Sequence, residues 1–441
     1  MKSLFLTCRR SLVGRLSTLV LFAIVGSSPF ASAKELAELR VVYVGSERAN
    51  EFVDFLRQHV ADVHSVDRDE FNPADGDKFD VVLLDWPQSS DARLTRTQSS
   101  PLGPRENWSR PTVLLGSAGL NLACAWQLRG GSGCTCLDPV AYDLKKHVIF
   151  RSPFAIDRAA TTAIDTPSSF QDDLEAKSID VIPLVDDYEK HWRAGWCTYS
   201  TAFEVFPEVE FFCGGVNHKT PTAAAIWRQG NLMHFGFQQS PVELNDVGDK
   251  MLLNAIAYIS HFSQDRPIAI TPSVFVGPYT RPRSSVASYL ANPDRAKWVE
   301  RMVTPELWAT MQNLDDTDAM AAWAKERSSY FTPDAASKLE IDKDLETIKM
   351  GFDDPGFLPS MIEHLASNEQ GESARAKRLL LRYVPEGPKS DDANTWNLWY
   401  DQNEPFLFAT DYGHYRWYID PLAKKRGVAT TQLRGTARMD Q

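Results

Sequence analysis

Polar residues that could do chemistry follow the ends of several apolar runs in this sequence. Runs that predict buried strands end near Gly45, Leu84, Gly116 and Phe237. In open α/β sheets, ligands bind beyond the carboxyl ends of the strands. We therefore predict a ligand-binding site made of Ser46, Arg48, Asp85, Trp86, Gln238, Gln239 and Ser240.

The composition of this set indicates a class of ligand. A polar cleft with one acid, one base and one tryptophan suits a polyol or a sugar, because a flat ring packs against the apolar face of a sugar. The alternative is that these residues are ordinary loop and cap residues. The sequence alone leaves both interpretations open.

Three residues are candidates for catalysis: Asp85, Ser117 and His218. Ser117 follows a predicted strand and precedes a predicted helix, where a sharp elbow would expose a nucleophile. The alternative is that Ser117 caps the helix. His218 lies in a glycine-containing loop near Cys213 and could act as a base or bind a metal. A histidine in a surface turn is the commoner case, and His234, inside a strand, is expected to be packed.

Five cysteines remain after the first 33 residues, and all are candidates for disulfides: Cys124, Cys134, Cys136, Cys197 and Cys213. An odd count leaves at least one thiol outside any disulfide within the chain. The Cys-Thr-Cys run lies in a glycine-rich loop, so a disulfide that staples this loop is the favoured interpretation. Ordinary thiols come next, and a metal site is disfavoured because no second pair stands at a zinc-like spacing. We predict no metal and no cofactor.

The stretch 226–260 gives the clearest structural prediction. Residues 231–237 are apolar and follow Gly230, which indicates a strand. Pro241 ends it, because proline has no N–H for a ladder. Asn245 can then cap a helix over 246–262 whose first turn carries acids that favour the helix dipole. This strand, loop and helix unit is typical of α/β sheets.

Strands and helices alternate through the first 262 residues. The predicted strands cover 39–45, 63–66, 79–86, 111–116, 147–150, 179–185, 209–213, 222–228 and 231–237. Helices are predicted over 47–60, 118–128 and 246–262, and a tight hairpin turn over 228–231. Strands that alternate with helices favour an α/β fold with a doubly wound, flavodoxin-like, mostly parallel sheet.

The last third of the chain differs in character. Residues 263–284 contain four prolines and predict a linker. Region 285–441 is predicted to be mainly helical, with helices near 293–301, 304–313, 316–328, 334–349, 357–367 and 371–383. The aromatic tail, 396–421, predicts a packed cap or hairpin, and a sugar-stacking surface is the alternative.

The first 33 residues have the features of a signal peptide. A basic region precedes the apolar run 19–25, and Ala31-Ser32-Ala33 fits a signal-peptidase site. We therefore expect an exported protein, periplasmic or secreted, that begins at Lys34 and contains no membrane span.

The charge of the chain excludes one class of partner. Removal of residues 1–33 takes away four positive charges and no acid, so the net charge changes from −11 to −15. A chain this acidic, without a basic patch, is not expected to bind nucleic acid.

One part of the sequence resembles a known family. The residues that carry the resemblance are Gly230-Asn231-Leu232-Met233-His234-Phe235-Gly236-Phe237, Ser240-Pro241, and Asn245-Asp246-x-Gly248-x-x-x-Leu252-Leu253-Asn254-Ala255-Ile256-x-Tyr258. They resemble the closing part of ThuA-like (trehalose-utilisation-type) domains of the class I glutamine amidotransferase-like superfamily, over residues 38–262. The signal peptide and aromatic tail resemble exported proteins of planctomycete-type bacteria.

The resemblance implies a fold and a test for catalysis. Catalytic members of the superfamily carry a cysteine on a strand-to-helix elbow, assisted by a histidine and a glutamate. The matching elbow here is Leu115-Gly116-Ser117-Ala118-Gly119, which has no cysteine, and no His-x-Glu follows the last strand. Glutaminase activity is therefore not expected.

Three functions remain open, in this order. The first is an exported ThuA-like protein that binds a carbohydrate or a protein partner without turnover. The second is a carbohydrate-active hydrolase that uses the α/β cleft. The third is an envelope structural protein whose helical region mediates assembly.

Overall fold

A computed structural model describes residues 34–87, 100–126, 128, 133–170, 174–191, 194–200, 209–263, 267, 283–411 and 415–430 of the 441-residue chain. Residues Lys34–Gln441 form one compact unit. The predicted signal peptide and most of the predicted linker 263–284 lie outside the described residues. The division into regions 38–262 and 285–441 therefore stays a prediction.

The main sheet contains strands β1 to β12. Their bounds are Arg40–Val44 (β1), Asp62–Val66 (β2), Val81–Asp85 (β3), Thr112–Leu115 (β4), Gly133–Cys134 (β5), Val140–Tyr142 (β6), Thr162–Asp165 (β7), Ser178–Pro183 (β8), Cys197–Tyr199 (β9), Val209–Gly215 (β10), Ala223–Gln229 (β11) and Leu232–Phe235 (β12). Three longer helices accompany the sheet: Ala49–Leu56 (α1), Ala118–Trp126 (α2) and Asp246–Ile259 (α3).

Half of the sheet has flavodoxin-like topology. Strands β2, β1, β3, β4 and β12 are neighbours in that order, and each pair is parallel. With β12 as the fifth strand, this is the doubly wound order 2-1-3-4-5. The α/β fold class predicted from the sequence is confirmed.

The two faces of the sheet are covered by different helices. Along β1, Val41 and Tyr43 pack into the cluster that contains α1 and α3, whereas Val42 and Val44 pack into the cluster that contains α2. This alternation follows from the two-residue period of a strand. All four side chains are fully buried, as expected for a sheet covered on both faces.

Helix α3 begins at the predicted cap. The Asn245 side-chain oxygen accepts hydrogen bonds from the backbone N–H groups of Val247 and Gly248, at 3.1 and 3.0 Å. This cap satisfies two of the N–H groups that the start of a helix leaves without partners.

The other half of the sheet is antiparallel. From β12 the order continues through β11, β10, β6, β8 and β7, and each of these neighbours is antiparallel. The predicted hairpin connects β11 to β12, with Gly230 at φ +59° in its turn. A left-handed backbone suits glycine there, because it has no Cβ.

A short segment is inserted between β11 and β12 where they separate. On one side, β9 pairs with Ala223 and Ala224 of β11. On the other side, Gly195 pairs with Phe237, and the Trp196 N–H donates to the Gly236 carbonyl at 2.7 Å. A Cβ on Gly236 would lie 2.0 Å from the Trp196 carbonyl oxygen, so only glycine allows this approach.

Two elements predicted from the sequence are wrong. Residues 147–150 do not form a strand: a 3-10 helix, Val148–Phe150, begins there because the His147 ring accepts the N–H of Ile149 at 3.1 Å. The start of the predicted helix 334–349 is a hairpin turn between Phe331–Pro333 (β13) and Leu339–Ile341 (β14). There Asp334 accepts two backbone N–H groups, which favours a turn over a helix.

The C-terminal region is mainly helical, as predicted. Its helices are Ser284–Leu290 (α4), Pro293–Ala296 (α5), Pro305–Gln312 (α6), Thr317–Arg327 (α7), Lys343–Ile348 (α8), Phe357–Leu365 (α9), Gln370–Tyr383 (α10), Ala393–Asn403 (α11) and Pro421–Arg426 (α12). The aromatic tail contains a hairpin of Leu407–Thr410 (β15) and Arg416–Ile419 (β16). Within the described ranges, the helices are all too short or too polar to cross a membrane.

A buried ion pair joins β10 to β11 at the end of the pair that lies away from their connecting loop. The Arg228 Nε donates to Glu210 Oε2 at 2.6 Å, and both side chains are about 1% exposed. The Tyr258 hydroxyl of α3 donates to the same carboxylate oxygen at 3.0 Å. Removal of either charge would leave the other buried without its partner, which is strongly destabilising.

The pH dependence of stability has a local source in α3. Burial and the neighbouring Asp246 carboxylate raise the pKa of Asp249 to about 6. Between about pH 4 and 6 the folded protein holds a proton that the unfolded chain has lost, so Asp249 reduces stability as the pH rises through this range.

We predict that Asp249→Asn stabilises the protein at pH 7 and leaves it unchanged near pH 3. One pKa unit corresponds to about 1.4 kcal/mol, and water screens this half-buried group, so the expected gain is about 1 kcal/mol. Urea denaturation at a series of pH values measures it. Asp54→Asn, at an exposed acid of α1, is the control and should give no gain. A gain that is the same at pH 3 and pH 7 would contradict the prediction.

Candidate functional site

A buried ion pair lies at the carboxyl ends of β1 and β3. Arg48, just before α1, donates to both oxygens of Asp85, the last residue of β3: Nε to Oδ2 at 3.0 Å and Nη2 to Oδ1 at 2.5 Å. The Tyr43 hydroxyl of β1 donates to Oδ2 at 2.5 Å. Asp85 is fully buried, and the Arg48 side chain is 13% exposed. Both carboxylate oxygens are therefore occupied by donors.

This ion pair also reaches the loop that follows β12. Nη1 of Arg48 donates to the backbone carbonyl of Gln238. Burial by itself lowers the pKa of the Arg48 guanidinium, but the charge and hydrogen bond of Asp85, with smaller contributions from Tyr43 and Glu243, together outweigh burial, so the pKa is raised. Burial and Asp85 together raise the pKa of the Tyr43 hydroxyl far above its ordinary value, so it stays protonated. Arg48 thus connects the carboxyl ends of β1, β3 and β12.

A second cation lies beside the first. Arg68 donates to the Asp85 backbone carbonyl at 2.9 Å, forms an ion pair with Glu47 at 3.3 Å, and lies 4.5 Å from the centre of the Trp86 ring. Burial tends to raise the pKa of Glu47, but the hydrogen bond and charge of Arg68 and the backbone hydrogen bonds together outweigh burial, so the pKa is lowered. Ser46 is exposed, and its hydrogen bond lowers the pKa of Asp67.

The strand-to-helix elbow after β4 carries no reactive side chain at its turning residue. That residue is Gly116, at φ +49°. A Cβ there would lie 2.7 Å from Gln238 Oε1, so the glutamine side chain occupies the space above the elbow. Gln238 Oε1 also accepts the backbone N–H of Ser117 at 3.3 Å. Ser117 is fully buried, which does not favour it as a nucleophile that attacks an external substrate.

The loop after β12 is polar and buried. Gln238, Gln239 and Ser240 are 9%, 7% and 1% exposed. The Ser240 N–H donates to Glu243 Oε2 at 2.9 Å. Gln238 Nε2 and Gln239 Oε1 are buried and have no hydrogen-bond partner within the described part of the chain. These two amide atoms are available to a bound molecule.

His218 belongs to a different part of the same edge of the sheet. It follows β10, which runs in the same direction as β12, so both strands end at this edge. Its Nε2 lies 2.6 Å from Asp138 Oδ2, and the His218 side chain is 37% exposed. A carboxylate that holds a partly exposed imidazole is an arrangement that can serve a general base. This pair lies at a different strand end from Asp85 and Ser117.

The cysteines divide into two groups. Cys136 is disulfide-bonded, whereas Cys197 and Cys213 are buried thiols rather than members of disulfides. Burial raises the pKa of Cys213 well above its ordinary value, so this thiol is unreactive. The side chains of Cys124 and Cys134 lie outside what the structure describes.

The sequence left a metal at His218 open and disfavoured a metal at the cysteines. Among the residues that the structure describes, no three His, Cys, Asp or Glu side chains are arranged to hold a metal ion.

A cavity of about 460 Å³ opens at the end of β8 beside the start of α3. Its lining includes Asp186, Asp187, Glu189, Lys190 and Asn245. Three of these groups are already engaged, because Lys190 pairs with Asp187 at 2.7 Å and Asn245 caps α3.

Sequence reasoning missed several side chains of the strand-end site. Tyr43 and Arg68 contact Asp85 from β1 and from the segment after β2, and nothing in their local sequence marks them. His234 was expected to be packed: it is fully buried, and its ring stacks on Trp227 at 4.2 Å between centroids. Burial lowers the pKa of His234 to about 3, so it is neutral at physiological pH.

Comparison with known proteins gave little. No protein-family model matches the chain, and no curated protein matches it. Among solved structures, it is similar to a protein from Thermoplasma acidophilum that is described as a GMP synthase subunit, with 10% sequence identity and a TM-score of 0.28. That similarity covers 51% of this chain and 94% of the other. The α/β class of the chain follows from the strand order of its main sheet.

We predict that Asp85→Asn destabilises the protein by about 3 kcal/mol, because it leaves the largely buried Arg48 without a counter-charge. The change in free energy of unfolding is measured by urea denaturation. Asp75→Asn, which removes an exposed pair with Lys78, is the control and should cost less than about 1 kcal/mol. Similar losses in the two variants would show that the Arg48–Asp85 pair is not structural.

Proposed function

We propose that this protein is an exported, non-catalytic binding protein with a ThuA-like domain of the class I glutamine amidotransferase-like superfamily, and that its strand-end site binds a carbohydrate. The observation that supports the proposal is that the groups at this edge of the sheet are either without a reactive side chain or already hydrogen-bonded to one another. Gly116 gives the elbow no side chain, and Asp85 is held by Arg48 and Tyr43. These groups serve structure rather than proton transfer.

The remaining groups at the site support binding. Gln238 Nε2 is a donor and Gln239 Oε1 an acceptor, and both are buried without partners in the described residues. A sugar hydroxyl both donates and accepts hydrogen bonds, so it complements such a pair. The half-buried Trp86 ring, which Arg68 covers on one side, adds an aromatic surface of the kind that sugars contact.

We expect residues 34–441 to be stabilised by one or more members of a panel of sugars and polyols. A ligand at one hundred times its Kd stabilises the native state by about 2.7 kcal/mol, which raises the melting temperature measurably. Gln239→Leu should abolish this shift without loss of stability, because Gln239 Oε1 has no partner to lose among the described residues. Thermal shift and urea denaturation measure the two effects.

The exposed Gln58 provides the matched control: Gln58→Leu should leave the shift intact. Absence of a shift with every sugar and polyol would contradict carbohydrate binding and leave a protein partner as the ligand. Release of reducing sugar in the same mixtures would favour a second function, a carbohydrate-active hydrolase, for which the His218–Asp138 pair is the supporting observation.

Export is a separate part of the proposal and has a separate test. The compact unit begins at Lys34, the residue predicted to follow signal cleavage. We expect the protein purified from its native host to begin at Lys34, as measured by mass spectrometry of the N-terminal peptide. Retention of Met1 would contradict export.

A further inference from the structure

Buried polar atoms without partners surround the first turn of α2. They are Trp196 Nε1, both ring nitrogens of His234, Gln238 Nε2 and Gln239 Oε1, none of which has a hydrogen-bond partner in the part of the chain that is described. The four side chains are between 0% and 9% exposed. Buried polar groups in folded proteins are nearly always hydrogen-bonded, so this concentration needs an explanation.

Two of these groups meet at Gly119. The position that a Cβ on Gly119 would take lies 3.0 Å from His234 Nδ1 and 3.6 Å from Trp196 Nε1. Both nitrogens therefore approach the same side of the first turn of α2. The close approach of the two rings depends on glycine, because a Cβ at this position would lie 2.9 Å from Trp196 Cδ1 and 3.0 Å from His234 Nδ1.

The Gln238 amide lies at the start of the same turn. Gln238 Oε1 accepts the Ser117 N–H at 3.3 Å, which directs this amide toward the beginning of α2. Its Nε2 remains without a described partner, as does the Oε1 of the next residue, Gln239. The side chains of Trp196, His234 and Gln238 thus approach one turn of helix, from the elbow to Gly119, and Gln239 is the next residue in the chain.

The chemistry of these atoms selects an uncharged ligand. Trp196 Nε1 and Gln238 Nε2 are donors, Gln239 Oε1 is an acceptor, and a neutral imidazole at His234 offers one of each. The nearby charges of Arg48 and Asp85 satisfy each other. An ion would lose its hydration here without gaining a counter-charge, whereas a hydroxyl can donate and accept at once.

We propose that Trp196, His234, Gln238 and Gln239 form an enclosed site, beside the first turn of α2, for a small uncharged ligand with several hydroxyl groups, a polyol or a monosaccharide. This inference rests on the proposed function, because it names the ligand class and the contacting residues of the same strand-end site. The indole of Trp196 supplies both a donor and an apolar ring surface.

The test is an NMR titration of the protein labelled with ¹⁵N-tryptophan. Glycerol, myo-inositol and D-glucose are added separately, and the indole N–H signals are followed. Trp196→Phe and Trp126→Phe assign the two signals that matter. The Trp196 Nε1–H signal should shift with the same Kd as the thermal stabilisation. The Trp126 signal should stay, because its N–H already donates to the Gly103 carbonyl at 3.0 Å.

Trp196→Phe should weaken binding at least about tenfold, and Trp126→Phe should bind as the unmodified protein does. If a probe stabilises the protein but the Trp196 signal does not move, the enclosed site is refuted, ordered water fills it, and the proposed function stands. If no probe binds by either measurement, both proposals fail. If Trp196→Phe does not fold, the Trp196 signal is assigned by triple-resonance NMR of the unmodified protein, and the titration of that signal decides.

Discussion

The buried pair of Arg48 and Asp85 is the interaction on which the strand-end region depends. Two charges removed from water are tolerated only when their hydrogen-bonding capacity is filled. Here the Tyr43 hydroxyl and the Gln238 carbonyl complete the arrangement. The pair therefore connects β1, β3 and the loop after β12, segments that are as many as 190 residues apart in the chain.

This use of charge for structure has a consequence for function. A carboxylate whose two oxygens already accept hydrogen bonds from a guanidinium and a phenol has little capacity left to bind a substrate, and such a group makes the site rigid. The atoms that remain available near it are neutral amide, indole and imidazole groups. A neutral, rigid, hydrogen-bonding surface distinguishes ligands by the positions of their hydroxyl groups, because an unmatched buried polar atom is costly.

The sequence predicted the parallel half of the fold well, because local signals determine it. Apolar runs such as those of β1 and β3 report burial on both faces, and the Asn245 cap and the Gly230 turn are local chemistry. The failures have equally local causes: the His147 ring replaced a strand by a 3-10 helix, and the Asp334 side chain replaced a helix by a turn.

Because ligands bind beyond the carboxyl ends of parallel strands, and these ends meet at one edge of the sheet, the sequence predicted that Arg48, Asp85 and Gln238 lie near one another. It did not predict that Arg48 and Asp85 neutralise each other, nor that Tyr43 joins them. Those contacts depend on the distances between side chains from separate strands. Neither the hydrophobic periodicity nor the composition of the sequence determines these distances. Ligand binding by this set of residues stays a prediction.

The inserted segment before β9 explains why Trp196 and His234 can meet at all. Trp196 reaches α2 only because its backbone crosses that of Gly236 at a distance that no Cβ permits, and a Cβ on Gly195 would lie 2.3 Å from the Gly236 carbonyl oxygen. On the helix side, Gly119 likewise allows a close approach, because a Cβ there would lie 2.9 Å from Trp196 Cδ1 and 3.0 Å from His234 Nδ1. Gly119 lies inside a helix, where glycine costs conformational free energy relative to alanine. An apolar side chain in place of His234 would leave no unmatched ring nitrogens in this buried position, so packing alone does not account for the histidine, whereas a bound polar molecule does.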